Sequence, residues 1–285
     1  MSIPLPKKTK LAIKGRLKSL RMRYVRWRYA FDTEQLRTFL RDLGLKKGDV
    51  VLVHSSYNKF EAYCGKPMEV IETLQDTLGP EGTLLMPTMP FSGTALDYIR
   101  KGKPFDARRT PSRMGLLTEL FRRMPGVVRS VHPTHPVAAW GALAQTMTAD
   151  HHLCSTPCSR QSPVGKVLDH NGRILFLGTG IGVLTFLHTI EEILEPVMPF
   201  SAFSTEVFEL TSTTTSGTIV NTQTRLFDPA ISRKRNPNKL IPELKKNNLW
   251  KESRIGTLNA ILLEAQDVLD TASSMAENGS YCYDE

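Results

Sequence analysis

The stretch that decides the fold is Asp49-Val50-Val51-Leu52-Val53-His54-Ser55-Ser56, four apolar residues running without a break into an imidazole and two hydroxyls. A run this short, with no polar alternation, fits a strand buried on both faces of a sheet. Thr83-Leu84-Leu85-Met86-Pro87-Thr88 has the same character, and between the two runs Met68, Val70, Ile71, Leu74 and Leu78 recur at helical spacing from Pro67 to Leu78. The three segments read as strand, helix, strand.

Working outward, residues 114–124 read as a helix, 173–178 as another buried strand, and about 183 to 195 as a further helix. Alternation of this kind predicts an α/β fold with a central sheet covered by helices on both faces. Residues 205–227 change character: Thr and Ser dominate, the period falls to about 2, and Ser216-Gly217 marks a tight turn, which predicts an additional antiparallel hairpin in the C-terminal part. A last helix is expected over about 254–270, and residues 271–285, lacking a periodic face, are expected to be a loose tail. Upstream, Asp32 followed three residues later by Gln35 is a capping-box pattern for a helix that ends near Gly44. The expected organisation is a basic arm over residues 1–31, one domain over 32–270 and the tail.

The arm accounts for the charge. The chain of 285 residues carries a formal net charge of +9, yet residues 1–28 hold five Lys, five Arg and no acid, so residues 29–285 carry −1. A nearly neutral body argues against a nucleic-acid groove built into the fold. Within the arm Ile13, Leu17, Leu20, Tyr24, Trp27 and Phe31 recur at spacings of 4, 3, 4, 3 and 4, one stripe of a helix with cations around the rest. Packing of this stripe on the body or on a second subunit is the first expectation, and peripheral attachment to an anionic membrane surface is the alternative. No uncharged apolar run is long enough to span a bilayer and no secretion signal is visible, so a cytoplasmic protein is expected, with the inner face of the membrane as the alternative location. Cys64, Cys154, Cys158 and Cys282 are too sparse for a disulfide framework; they read as reduced thiols, and no metal site is expected.

Chemistry concentrates in a few places. His54-Ser55-Ser56 leaves the end of a buried strand, where hydroxyls and turn amides suit an anion such as a phosphate; the same residues would serve as a polar turn capping the next helix. Gly178-Thr179-Gly180-Ile181-Gly182 also follows a strand, but position 183 is Val, which breaks the dinucleotide-binding glycine pattern. His188, Glu191 and Glu192 stand at i, i+3 and i+4, so either carboxylate can orient the imidazole as a general base, although a lone helical His is also an ordinary structural residue. Arg129-Ser130-Val131-His132-Pro133-Thr134-His135 adds a cation and two imidazoles whose use local composition leaves open.

Taken in order, His54-Ser55-Ser56, Gly82 to Thr88, Pro104-Phe105-Asp106, Arg109 to Arg122, Arg129 to Pro133, Ser162-Pro163 with Lys166, and Thr185 to His188 with Glu191 resemble the aminoglycoside 3-N-acetyltransferase family over roughly residues 32–200. The resemblance implies acyl-CoA-dependent transfer, with acetyl-CoA or another acyl-CoA as co-substrate, to an amine of an amino sugar. It carries the family's catalytic region onto His188 and Glu191, adds Glu119 as a second candidate carboxylate, and places the CoA phosphates near Ser55, Ser56, Arg129 and Ser130. Pro136 departs from the Ser that members often have there. On this reading His188 takes a proton from the sugar ammonium, and backbone amides or the hydroxyls of Thr179 or Thr185 meet the charge on the carbonyl oxygen. A covalent route through Cys64 lacks an identifiable His and acid partner. The runs Arg233-Lys234-Arg235 and Lys245-Lys246 favour a nucleotide-linked amino sugar over an antibiotic aminoglycoside, which would call for carboxylates. A non-catalytic CoA-binding or scaffold protein is the remaining alternative.

Overall fold

The computed structural model describes residues 7–284, with side chains described at all of them except positions 7, 8, 10–12 and 18. Its strands are β1 (Val50–Ser55), β2 (Thr83–Pro87), β3 (Phe105–Asp106), β4 (Val128–Arg129), β5 (Val137–Gly141), β6 (Arg173–Leu177), β7 (Phe203–Thr213), β8 (Ile219–Phe227), β9 (Lys251–Ile255) and β10 (Leu258–Glu264). The helices are α1 (Lys7–Tyr29), α2 (Thr33–Leu43), α3 (Pro67–Leu78), α4 (Ala95–Ile99), α5 (Leu116–Phe121), α6 (Ala144–Thr148), α7 (Leu187–Leu194), α8 (Pro229–Lys234), α9 (Ile241–Lys246) and α10 (Ala265–Glu277).

The 49–54 run forms the centre of a seven-stranded sheet in the order β4-β5-β2-β1-β6-β10-β9. β1 pairs in parallel with β2 on one side and β6 on the other, while β5, β4, β10 and β9 extend the sheet antiparallel. Successive side chains of a strand point to opposite faces, so Val51 and Val53 enter one core with Leu36, Leu40, Ile71 and Leu74, and Val50 and Leu52 enter another with Leu187, Ile190, Val268 and Ala272. Helices therefore cover both faces, as the alternation predicts. Burial of each large side chain contributes about 1.5–3 kcal/mol, which makes this double layer the main source of stability. α2 begins at the expected cap: Asp32 accepts from the Gln35 amide at 2.9 Å and Gln35 accepts from the Asp32 amide at 3.0 Å. The expected hairpin is β7–β8, antiparallel, with β3 added in parallel along β7.

Four expectations are corrected. Residues 254–270 are not one helix: β9 ends at Ile255, β10 occupies Leu258–Glu264, and α10 starts at Ala265. Leu258, Ala260 and Leu262 face one core and Ile261 and Leu263 the other. An apolar run buried on both sides has no periodicity that separates strand from helix. Nor are residues 271–285 a loose tail, since α10 continues to Glu277 and the segment after it is tied down, with the Asn236 amide donating to the Cys282 carbonyl at 2.7 Å and Tyr283 buried. The helix expected from 183 is a 3₁₀ turn at Ile181–Val183 followed by α7 from Leu187. Finally, the arm is helical, but of the stripe Ile13, Leu17, Leu20, Tyr24 and Trp27 are exposed and Phe31 is buried; among the described residues of the arm the body also takes Val25, with Met22 half-buried.

Candidate active site

The carboxyl ends of β1, β2 and β6 meet where the chain, having crossed from β1 to β2, later returns on the other side of β1. Open α/β sheets bind ligands at such a reversal. Here it forms a cleft of about 670 Å³ whose lining includes His54, Ser55 and Ser56 after β1, Pro87 at the end of β2, Thr179 and Gly182 after β6, Thr185 and His188 at the start of α7, and Phe227 and Arg235 from the C-terminal half.

His188 sits in this wall with its side chain 17% exposed. The i, i+3 spacing on α7 brings Glu191 to its Nδ1 at 3.0 Å, which leaves Nε2 for chemistry. Glu191 is buried and shared: its other oxygen accepts from Arg235 Nε and from the Tyr283 hydroxyl. Burial alone would raise the Glu191 carboxyl, but the bonds and charges of His188 and Arg235 outweigh it and hold its pKa below the ordinary value. Burial pulls the His188 pKa down, Arg235 pulls it further, and the hydrogen bond that Nδ1–H donates to Glu191 works against both, with a net shift below the ordinary histidine value. Its ring packs at 4.3 Å on Phe227 and at 6.0 Å, edge-on, on His135. Arg235 stacks over Phe227 at 4.6 Å and donates to Ser232 Oγ. Glu192, the other carboxylate in register, turns away to Thr156 Oγ1 and the Arg160 amide.

Ser55 and Ser56 line the cleft. Arg129, Ser130 and Glu119 do not join them. Arg129 is 4% exposed, and its guanidinium donates to the carbonyls of Thr88, Ala107 and Thr110 and to Thr88 Oγ1, with Phe105 stacked at 4.8 Å. Burial, with Arg122 close by, lowers its pKa to about 9. A donor set spent on main-chain carbonyls cannot also grip a phosphate. Ser130 donates to His151 Nδ1 at 2.8 Å, because the other nitrogen of that ring donates to the Pro157 carbonyl, and it accepts from the Val137 amide. Glu119 binds Arg122, Arg123 and the Ser112 amide, fixing the loop before α5 instead of meeting His188. Sequence reasoning missed Arg235 as a partner of Glu191, and Tyr283 altogether, since each lies more than 40 residues from Glu191.

The fit to an elongated acyl donor can be tested on the turn after β6. Gly178 has φ +68°, and a Cβ there would lie 2.6 Å from Lys59 Cβ, so glycine is required; at Gly180 and Gly182 a Cβ would meet nothing within 4 Å. Their surroundings are open, and Thr179 also lines a second hollow containing Lys59, Trp250, Arg254 and Glu252, whose carboxylate accepts from Trp250 Nε1 and Asn259 Nδ2. Hydroxyls, an open glycine turn and neighbouring cations suit a ligand with a polar arm and a phosphorylated end.

Comparisons with known proteins bear on the family and the fold. The family model described as aminoglycoside 3-N-acetyltransferase matches residues 52–277. Aminoglycoside N(3)-acetyltransferase IV from Salmonella sp is 37% identical over 165 residues, 57% of this chain and 59% of that protein. The SPbeta prophage-derived aminoglycoside N(3')-acetyltransferase-like protein YokD of Bacillus subtilis is 34% identical over 168 residues, 53% of this chain and 61% of that protein. The chain thus spans about 60% of the length of these relatives. Among solved structures, a mutant of aminoglycoside acetyltransferase AAC(3)-IVa in complex with a gentamicin superposes with a TM-score of 0.73 at 29% identity, covering 88% of this chain and 91% of that one. AAC-IIIb in binary complex with CoASH shares the fold, with a TM-score of 0.74 at 24% identity over 90% of this chain and 99% of that one.

Proposed function

The chain belongs to the aminoglycoside 3-N-acetyltransferase family, and on that premise we propose that it transfers an acetyl group from acetyl-CoA to an amine of an aminoglycoside. The observation that carries the reading is the His188–Glu191 pair, with Nε2 free in the wall of a cleft that also presents Ser55, Ser56, Thr179 and Thr185.

Acetyl-CoA, when bound, supplies the thioester carbonyl. Ser55, Ser56 and the Thr179–Gly182 turn would hold its arm, and Lys59 and Arg254 its phosphates, in place of the expected Arg129 and Ser130. An ammonium has no lone pair, so it first gives one proton to solvent, and His188 Nε2 then takes a second from the free amine as the nitrogen attacks. Glu191 fixes the tautomer with the proton on Nδ1 and stabilises the imidazolium, while Arg235 and Tyr283 keep Glu191 ionised and in place. The hydroxyls of Thr179 and Thr185 are the candidate donors toward the carbonyl oxygen as charge develops there. The imidazolium then returns its proton to the departing sulfur, which regenerates the base without a covalent enzyme intermediate.

The acceptor expected from charge alone, a nucleotide-linked amino sugar, is the weaker reading. The named relatives are aminoglycoside acetyltransferases, and the basic runs do not form an anion site in the cleft: Lys245 and Lys246 pair with Glu252 and Glu243, and of the run 233–235 the cleft takes Arg235, which is committed to Glu191. One observation keeps it as a second reading. Among the described residues lining the cleft there is no Asp or Glu, so the wall lacks the carboxylates that a polycation calls for. Thiol release from acetyl-CoA, measured against a panel of aminoglycosides and nucleotide-linked amino sugars, decides between them. Turnover with an aminoglycoside bearing a free 3-amino group is expected. Turnover confined to nucleotide-linked sugars would establish the second reading, and turnover with neither would remove both.

A further inference from the structure

We propose that helix α1 docks the protein onto an anionic lipid surface, lying in the headgroup plane with Ile13, Leu17, Leu20, Tyr24 and Trp27 directed into the bilayer. At 100° per residue these five fall on one stripe about 80° wide. All are exposed, Leu17 at 62% and Trp27 at 78%, although the C-terminal half of the helix is anchored to the body through another face. Val25, on that other face, is buried, Arg21 pairs with Glu61 at 2.8 Å, and the Phe31 amide donates to the Ala62 carbonyl at 3.1 Å. The apolar stripe thus points away from the protein by construction.

Charge identifies the occupant. Lys14 and Arg28 stand along one flank of the stripe and Arg16 and Arg23 along the other, all exposed. A surface that accepts this face must take apolar side chains in its centre and cations on both margins, which describes the boundary between acyl chains and anionic headgroups. Tyr24 and Trp27, with ring centroids 6.1 Å apart, are the residue types that settle at that boundary. A second copy fits worse, since apposing two stripes would bring the exposed cations on their margins against one another with no acid in residues 1–28 of either chain. A nucleic acid would meet the cations but leave the apolar stripe against phosphates. Among the described residues no helix is long and apolar enough to cross a membrane, so the helix lies on the surface. The family match begins at residue 52, outside the arm.

The test uses the full chain and vesicles of phosphatidylcholine alone or doped with phosphatidylglycerol. Binding at least tenfold tighter to the anionic vesicles is expected, with a blue shift of Trp27 emission and release at about 1 M salt, where the Debye length falls to about 3 Å. Replacing Leu17, Leu20 and Trp27 together by Ser should lower vesicle affinity at least tenfold without changing the melting temperature, because those side chains cover nothing on the body. Equal binding to both vesicles, or to neither, overturns the proposal. So does a dimer in sedimentation that the triple variant dissociates, or duplex DNA binding that the triple variant retains while vesicle binding is absent. The shift is read on a protein with Trp140 and Trp250 replaced by Phe, in which Trp27 is the remaining tryptophan, and it stands whatever the triple variant does.

Discussion

Two buried polar corners of this molecule look alike in sequence and behave oppositely in space. Around His188, a titratable group is held on one side, by Glu191 at Nδ1, and left open on the other, in the cleft wall. Around Arg129 the bonding turns inward: three carbonyls and a hydroxyl take four of the five guanidinium donors, Ser130 is locked between His151 and Val137, and Glu119 is held by two arginines and an amide. A polar group acts on a ligand when part of its bonding capacity survives folding; once that capacity is exhausted it is a bracket for the chain. The second corner joins the loop around residues 107–110 to β2 and β4, and so shapes the cleft from behind without touching what binds there.

The largest expected effect separates the corners most sharply. His188→Ala should lower kcat by about 10² to 10⁴, the usual contribution of a general base, with CoA affinity within a few fold and the melting temperature nearly unchanged; wild-type turnover in a steady-state assay would remove His188 from the chemistry. Arg129→Ala should do the reverse. It strands buried carbonyls at about 1–3 kcal/mol each, so denaturant unfolding should show a loss of about 3–5 kcal/mol and a fall of roughly 10 °C in Tm, while calorimetry on the folded fraction finds CoA affinity unchanged. A selective loss of CoA binding would return Arg129 to the site.

Smaller effects probe how the open corner is held. Tyr283→Phe removes a donor from Glu191 and should lower kcat about tenfold, roughly 1.4 kcal/mol in the barrier. Because the His188 pKa is depressed, the acid limb of the pH–rate profile should lie below the ordinary histidine value, with activity lost as pH falls and the imidazole protonates. In Tyr283→Phe the carboxylate becomes more basic and pulls harder on the imidazolium, so that limb should move to higher pH; an unmoved limb would make Tyr283 a packing residue. The smallest effect is expected for Glu119→Gln, whose kcat should stay within about threefold of wild type while Glu191→Gln falls into the range of the His188 variant. Equal losses in the two would erase the distinction between the corners.

Much of this was legible in the chain because it is local. The strand at 50–55 follows from an unbroken apolar run, the start of α2 from Asp32 and Gln35, and the His188–Glu191 pair from their spacing on one turn of helix. The carboxylate was ambiguous for the same reason: Glu191 and Glu192 both lie within helical reach of His188, and what settled the choice was Thr156 and Arg160 claiming Glu192. β10 was misread because residues buried on both faces lose the alternation that marks a strand. The C-terminal segment was discounted because Cys282 and Tyr283 form no pattern with their neighbours, although both are buried.

What the sequence by itself determined is therefore the set of groups whose partners lie within a turn or a strand: the sheet's central run, the caps, the dyad, and the charge of the arm. Which polar groups remained open after folding was decided by the tertiary structure alone. Arg235 and Tyr283 reach Glu191 across 44 and 92 residues, Arg129 spends its donors on carbonyls 19 to 41 residues away, and the arm's stripe stays exposed from Ile13 to Trp27 because the body engages Val25 on another face and, from the stripe, its last member Phe31. Local geometry fixes what a residue can do within its own turn, whereas the hydrogen bonds left over for a ligand are known once the rest of the chain has closed around it.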